Sequence, residues 1–265
     1  YYKKVASVHM LPLGATRAVY EGTKEQECRI LFPGTYDRPD AVYQIVENAP
    51  EPLGSTMKDL IERRLADPTL PMEKAFSQQL KEKDLELPAE QFALFMNSMY
   101  AVDAYVRDYF RKAALDALLA EKLPVTVFGE GWEKYSYRDE RSLRREPAVP
   151  FALSFERIAK AHVLLNVSPI FNRGMHDRVP AGMANHAVVL TDENPYLRRT
   201  FTDGEELLFY SLVKPDTLCE QAKRALTDAG LREKIAASAY ETFEREYTWK
   251  RRAEHILAFA KEVEA

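Results

Sequence analysis

Cysteine is scarce in this 265-residue chain, which contains only Cys28 and Cys219. Two such distant thiols make neither a disulfide framework nor a zinc-binding motif. A fold stabilised by several disulfides and a fold stabilised by a cysteine-bound zinc ion are therefore both excluded. The pattern is typical of reduced, mostly buried thiols, and it predicts a cytoplasmic protein.

The chain also lacks long apolar runs, a secretory signal and an excess of positive charge. No run approaches the ~20 apolar residues that span a bilayer, and the first residues resemble no signal peptide. Without an initiator Met, they look like the interior of a longer protein. The net charge is −4, whereas nucleic-acid-binding domains usually carry a strong basic excess. We therefore expect no transmembrane segment and no nucleic-acid partner.

Short apolar runs separated by helical patterns indicate an α/β protein. The balance of 46% hydrophobic and 29% charged residues is that of a globular domain. Strands are expected at 5–11, 28–35, 125–128, 148–153, 163–167, 187–190 and 207–210. Their alternation with helices predicts a Rossmann-like parallel sheet with helices on both faces.

Residues 36–122 are almost entirely helical in pattern, and we interpret them as a mainly helical insertion within a single domain. Its clearest helix runs from Pro88 to Leu119, with Met and aromatic residues at three- and four-residue steps. Such a stripe is typical of core packing and not of a cofactor site. Further helices are expected at 154–161, 179–185, 215–229, 231–246 and 249–263.

Ligands of parallel sheets bind beyond the carboxyl ends of the strands, where glycines follow two of the expected strands. Gly34, Gly129 and Gly131 either allow close backbone approach to a ligand or make tight turns. Trp132 beside them either stacks on a nucleotide base or covers the core. A Gly-x-Gly-x-x-Gly fingerprint is absent after both strands, which argues against a dinucleotide-binding oxidoreductase.

The segment 166–180 combines a strand end, a polar loop and a helix start. Asn166 ends the strand, and Pro180 lies in the first helical turn, where its missing N–H costs nothing. Free N–H groups near Val179 and the helix dipole would attract a diphosphate. His176 and Arg178 add donors, and Asp177 either caps the helix or binds a sugar hydroxyl.

The next strand ends in a second polar loop. Thr191, Asp192 and Asn194 follow the apolar run at 187–190. These side chains either contact the diphosphate or the sugar, or they form an ordinary turn at Asn194–Pro195.

The order of these short segments resembles the C-terminal, donor-binding domain of bacterial GT-B glycosyltransferases of the spore-maturation, or glycosyl transferases group 1, type. The similar segments are Leu11-Pro12-Leu13-Gly14-Ala15, Val127-Phe128-Gly129-Glu130-Gly131-Trp132, Leu165-Asn166, Arg178-Val179-Pro180-Ala181, Leu190-Thr191-Asp192, Asp203-Gly204-Glu205-Glu206, Phe209-Tyr210 and Tyr247-Thr248-Trp249-Lys250-Arg251-Arg252. The resemblance implies transfer of a sugar from a nucleoside-diphosphate sugar, without a metal or other cofactor. It also implies that an N-terminal acceptor-binding domain, which would supply any catalytic base, lies outside this chain.

Two residues depart from the family pattern. Ala181 stands where the family usually has a Glu that holds the ribose, and His186 replaces a small residue. Ribose recognition would then fall to Asp177 or Asp192, or the site has degenerated. A non-catalytic nucleotide- or sugar-binding module is therefore the alternative function.

Overall fold

The computed structural model describes residues 8–18 and 28–264, and it contains one six-stranded parallel sheet. The strands are β1 (Cys28–Pro33), β2 (Val125–Phe128), β3 (Leu143–Glu146), β4 (Ala161–Asn166), β5 (Val188–Asp192) and β6 (Leu208–Tyr210). Their order across the sheet is β3-β2-β1-β4-β5-β6. This is the doubly wound order of a Rossmann sheet, so the predicted Rossmann-like α/β fold is confirmed.

The central strands are apolar because helices cover both of their faces. All residues of β2 and β5 are buried. Alternate side chains face opposite sides of the sheet: Ile30 and Phe32 join one hydrophobic cluster, and Leu31 joins the other. The continuous apolar runs in the sequence follow from this double burial.

Five helices lie between β1 and β2. They are α1 (Pro39–Glu47), α2 (Leu53–Ala66), α3 (Met72–Glu82), α4 (Ala89–Ser98) and α5 (Tyr100–Ala120). The single helix expected from Pro88 to Leu119 is wrong, because the chain breaks between α4 and α5 at Met99. That side chain is buried in the core, and the carbonyl of Met99 accepts the N–H of Val102 at 3.0 Å. Apolar spacing alone does not reveal such a break.

The strand expected at 148–153 is also wrong. The structure places β3 at the sheet edge instead and begins α6 (Phe151–Ala159) directly after Pro150. Arg144 and Arg145 of β3 pair with acidic neighbours. A short charged strand is a common way to end a sheet, and its charge hides it from a search for apolar runs.

The remaining helices follow the later strands. They are α7 (Arg178–Ala184), α8 (Pro195–Thr200), α9 (Pro215–Thr227), α10 (Ala229–Thr242), a π-helical turn (Phe243–Tyr247) and α11 (Trp249–Glu264). The strand expected at 5–11 is not formed over residues 8–11, and residues 5–7 lie outside the described part of the chain. Within the described residues, no helix is long and apolar enough to cross a membrane.

Candidate functional site

A cleft of about 520 Å³ opens at the carboxyl edge of the sheet. It lies between the loops that follow β1 and β2, the start of α6 and the loop that leads to α7. Five residues expected from the sequence line it: Gly34, Gly129, His176, Asp177 and Arg178. The strand-end loops therefore meet where the rule for parallel sheets places a ligand.

Two glycines of the cleft, Gly34 and Gly129, are required by close contacts of this chain with itself. Gly34 has a φ of +141°, and a Cβ there would lie 2.7 Å from Nη2 of Arg178. Gly129 has a φ of +130°, and its Cβ would lie 2.2 Å from the carbonyl oxygen of Gly34. Both conformations favour glycine. Gly34 thus leaves room for the Arg178 side chain, and Gly129 leaves room for Gly34.

Trp132 does not face the cleft, so the expectation that it stacks on a base is wrong. Its side chain is only 2% exposed and lies parallel to the ring of Tyr36, with 5.1 Å between ring centroids. The indole Nε1 donates to the carbonyl oxygen of Gly34 at 2.6 Å. Gly131 also lies outside the cleft, where the backbone of Tyr36 approaches it too closely for any side chain. Both residues therefore pack against the loop that follows β1, on the side away from the cleft.

The structure places the Arg178 side chain in the cleft. Arg178 begins α7, and its Nη1 donates to Oδ1 of Asn166 at 3.2 Å. Burial lowers the pKa of this guanidinium to about 10, against the opposing charges of Asp177 and Asp192. A guanidinium whose charge is this poorly solvated is a strong candidate for binding an anion.

A second arginine, Arg111 of α5, also approaches Gly34. A Cβ on Gly34 would lie 3.4 Å from Nη2 of Arg111, as well as 2.7 Å from Nη2 of Arg178. Arg111 is 6% exposed, and its Nη1 donates to the carbonyl oxygen of Thr35. Burial, then the charges of Arg178 and Arg107, lower its pKa to about 9.

Arg111 was not among the site residues predicted from the sequence, although the pattern of α5 contains a signal. Asp108 and Arg111 are three residues apart and interrupt the apolar face of a long helix. Asp108 is fully buried and accepts two hydrogen bonds from Arg107, at 3.2 and 2.8 Å. Its distance to Arg111 is 3.9 Å, so it compensates the charge of Arg111 only in part.

The first N–H groups of α7 are already used within the protein, which corrects the expected helix-terminus site for a diphosphate. The N–H of Arg178 donates to Nδ1 of His176 at 3.2 Å, and the N–H of Val179 donates to the carbonyl oxygen of His176 at 3.0 Å. Pro180 has no N–H. His176 thus satisfies the first turn, and the Val179 side chain is buried in the core.

Asp177 does not cap α7 with its side chain, so that alternative is wrong. Its carboxylate contacts the imidazole of His176 instead. Burial lowers the pKa of His176, although Asp177 opposes this shift. Burial by itself would raise the pKa of Asp177, but the contact with His176 holds it below its usual range. Both side chains line the cleft and are in contact with each other.

Four other expected site residues form a buried layer behind Arg178: Asn166, Thr191, Asp192 and Asn194. The Nδ2 of Asn166 donates to Oγ1 of Thr191 at 2.9 Å, while its Oδ1 accepts from Arg178 and from Ser168. Their hydrogen bonds are made within the protein, so direct contact of these four with a donor is not supported. They fix the positions of the loops instead.

Asn194 and Asp192 show how this layer works. Oδ1 of Asn194 caps α8 by accepting the N–H of Leu197 at 2.8 Å, and its Nδ2 donates to two carbonyl oxygens of the 168–177 loop. Oδ1 of Asp192 accepts the N–H of Ser168 at 2.8 Å. Burial raises the pKa of Asp192 to about 7, although that hydrogen bond and Arg178 favour its ionised form.

Clusters of three or more His, Cys, Asp or Glu side chains suited to a metal ion do not occur in residues 8–18 and 28–264. Positive charge, from Arg111 and Arg178, is instead concentrated beside Gly34. Another wall of the cleft is apolar and includes Val149, Ala181 and Phe151, which is 69% exposed.

Comparison with known proteins identifies one family. Residues 107–258 match a family model described as glycosyl transferase-like, which is more than half of the chain. No curated protein matches the sequence.

Several solved structures are similar over part of the chain. Anabaena HepE in complex with UDP-glucose has 10% sequence identity and a TM-score of 0.47, over 58% of this chain and 44% of that one. Sucrose-phosphate synthase from Thermosynechococcus elongatus has 13% identity and a TM-score of 0.48, over 58% and 43%. The pneumococcal O-GlcNAc transferase GtfA in complex with UDP and GlcNAc has 16% identity and a TM-score of 0.44, over 59% and 33%. The aligned part is less than half of each of these proteins.

Proposed function

The chain belongs to the glycosyl transferase-like family, and we propose that it is the donor-binding half of a GT-B glycosyltransferase of the spore-maturation type. The cleft at the carboxyl edge would bind a nucleoside-diphosphate sugar. One observation carries this proposal: the guanidinium groups of Arg111 and Arg178 both approach Gly34, where a diphosphate would lie.

The electrostatics of the two arginines favour a dianionic ligand. Burial lowers both pKa values, and the charge of Arg178 contributes to the lowering at Arg111. An anion placed between them would replace this repulsion with charge-assisted hydrogen bonds, to which planar guanidinium groups are well suited. Asp177, an acidic side chain of the cleft, is already in contact with His176.

The rest of the donor would extend along the apolar wall. An exposed aromatic ring at the cleft, Phe151, is suited to stack on the nucleobase in place of Trp132. Ala181 provides no carboxylate for the ribose. Since Asp192 is buried behind Arg178, Asp177 is the stronger of the two acidic candidates for that contact.

In the proposed reaction, the bond between the anomeric carbon and the β-phosphate oxygen breaks, and its electron pair stays on that oxygen. The anomeric carbon bonds to the acceptor nucleophile, whose proton passes to a base in an acceptor domain outside this chain. Arg111 and Arg178 would stabilise the charge that develops on the diphosphate. We propose that no metal or other cofactor is needed for this step and that the protein acts in the cytoplasm.

Binding is tested by calorimetry with UDP, GDP, ADP and CDP. We expect one of them to bind with a Kd in the micromolar to millimolar range, about −4 to −8 kcal/mol. The absence of both heat and thermal shift with all four nucleotides would refute the donor-binding role.

A non-catalytic binding module is the second candidate, and Ala181 is the observation that favours it. The two functions are separated by assaying sugar transfer with this chain alone and with the full reading frame that contains it. We expect nucleotide binding by both and transfer only by the longer protein. Nucleotide binding without transfer by the longer protein, for any donor and acceptor tried, would favour the module.

A further inference from the structure

A buried arginine in the helical segment between β1 and β2 contacts the loop that carries the proposed diphosphate site. Arg64 lies on α2, is 1% exposed and forms an ion pair with Asp103 of α5. Its Nη2 donates to the carbonyl oxygen of Pro169 at 3.0 Å. Pro169 opens the loop that ends at His176, Asp177 and Arg178, more than one hundred residues further along the chain.

The same loop is held at two other places. Nδ2 of Asn172 donates to the carbonyl oxygens of Pro68, just after α2, and of Pro169, at 2.5 and 2.8 Å. On the other side, Nδ2 of Asn194 donates to the carbonyl oxygens of Phe171 and Gly174, at 2.9 and 3.1 Å. Residues 168–177 are all described and form neither helix nor strand, so these side chains determine the conformation of the loop.

The burial of Arg64 is costly and is not explained by packing. Its Nε is buried without a hydrogen-bond partner among the described residues. An apolar side chain of similar length would fill the same space without removing a charge from water. What only a guanidinium provides here is a fork that contacts the Asp103 carboxylate with one nitrogen and the loop carbonyl with another.

We propose that Arg64 is a positioning residue, which holds the 168–177 loop so that Arg178 lies beside Gly34 and Arg111. The effect on nucleotide binding rests on the proposed function, whereas the effect on the loop does not. Arg64 on α2 lies outside residues 107–258, the range of the family match, so α2 would add to the donor site a contact from outside that range.

The test compares Arg64→Met with the adjacent control Arg63→Met in the full 265-residue chain. Arg63 pairs with Asp59 on α2 and with Glu82 on α3. Two readouts are used: hydrogen exchange of the Phe171 and Gly174 amides, which donate within the loop at 3.0 and 3.3 Å, and affinity for the nucleotide that the wild type binds.

We expect Arg64→Met to raise exchange of the two loop amides about tenfold and to weaken nucleotide affinity about threefold to thirtyfold, the usual range for coupling through a packed network. Exchange in β4 and β5 should not change. Arg64→Lys should fold and should regain only part of the nucleotide affinity that Arg64→Met loses. A single ammonium group does not reproduce the two directed donor nitrogens of the guanidinium. Arg63→Met should match the wild type in both readouts.

A second variant, Asn172→Asp, covers the case in which Arg64→Met does not fold. It keeps the shape of the side chain and removes the two donors to Pro68 and Pro169, so we expect the same two effects. Unchanged loop exchange in the folded Arg64 and Asn172 variants would overturn the positioning role. If the wild type binds no nucleotide, the proposed function fails, and loop exchange still decides whether Arg64 orders the loop.

Discussion

Replacement of Arg178 by alanine tests the proposed diphosphate site most directly. The guanidinium lies in the cleft and donates to Oδ1 of Asn166, and its Nη2 would lie 2.7 Å from a Cβ placed on Gly34. A hydrogen bond to a charged group contributes roughly 1.5–3 kcal/mol. Arg178→Ala should therefore weaken nucleoside-diphosphate binding about tenfold to a hundredfold.

The fold should tolerate the change. Oδ1 of Asn166 keeps its hydrogen bond from Oγ of Ser168 at 2.8 Å, so this buried acceptor does not lose all of its partners. Loss of one hydrogen bond costs about 0.5–1.5 kcal/mol of unfolding free energy, and relief of the repulsion with Arg111 offsets part of it. Arg178→Lys should keep the charge but not restore full affinity, because an ammonium cannot donate a parallel pair of hydrogen bonds to phosphate.

The assay measures nucleotide affinity by calorimetry and melting temperature on both variants. Arg173→Ala is the matched control, since Arg173 is an exposed arginine in the same loop that does not line the cleft. Unchanged affinity together with a lowered melting temperature would show that Arg178 is structural. The diphosphate would then have to be bound by other groups, and the proposed role of the convergent arginines would be refuted.

Two further predictions concern pH and metal ions. The pKa of Asp192 is about 7 in the folded protein and lower when unfolded, so the folded state binds the extra proton and stability falls as pH rises from about 4 to 7. Asp192→Asn should remove this pH dependence and raise the free energy of unfolding by a few kcal/mol more at pH 8 than at pH 5. Urea titrations measure this, and an equal increase at both pH values would contradict the prediction. Nucleotide affinity should be the same with EDTA as with Mg²⁺ because the arginines supply the positive charge, and a tenfold gain with Mg²⁺ would contradict that.

The parts of the fold that the sequence predicted are those with a strong one-dimensional signal. The runs that form β1, β2, β4, β5 and β6 are apolar because both faces of each strand are covered. The expectation that His176, Asp177 and Arg178 lie at the carboxyl edge of the sheet followed from the rule that parallel sheets bind ligands beyond the carboxyl ends of their strands. By contrast, β3 is charged and lies at the edge, so its sequence carries no signal of that kind.

The side chains for which the sequence left two roles open depend on which way a loop turns. Trp132 and Gly131 follow a strand, as ligand-binding residues often do, but the backbone of Tyr36 occupies the space beside them. Asn194 lies in a polar turn of the kind that often binds a ligand, but its side chain caps α8. In each case a local pattern is compatible with two directions, and only contacts with distant segments select one.

The residues that were missed lie on the helices that cross from β1 to β2, which explains why no local pattern pointed to them. Helix α5 carries Arg111, which reaches the loop after β1, and Asp103, which holds Arg64 against the loop after β4. Those two loops come together only because β1 and β4 are neighbours in the sheet. A single crossover helix can therefore act on both sides of the cleft. The positive charge of the site, and the position of that charge, therefore depend on the helices between β1 and β2.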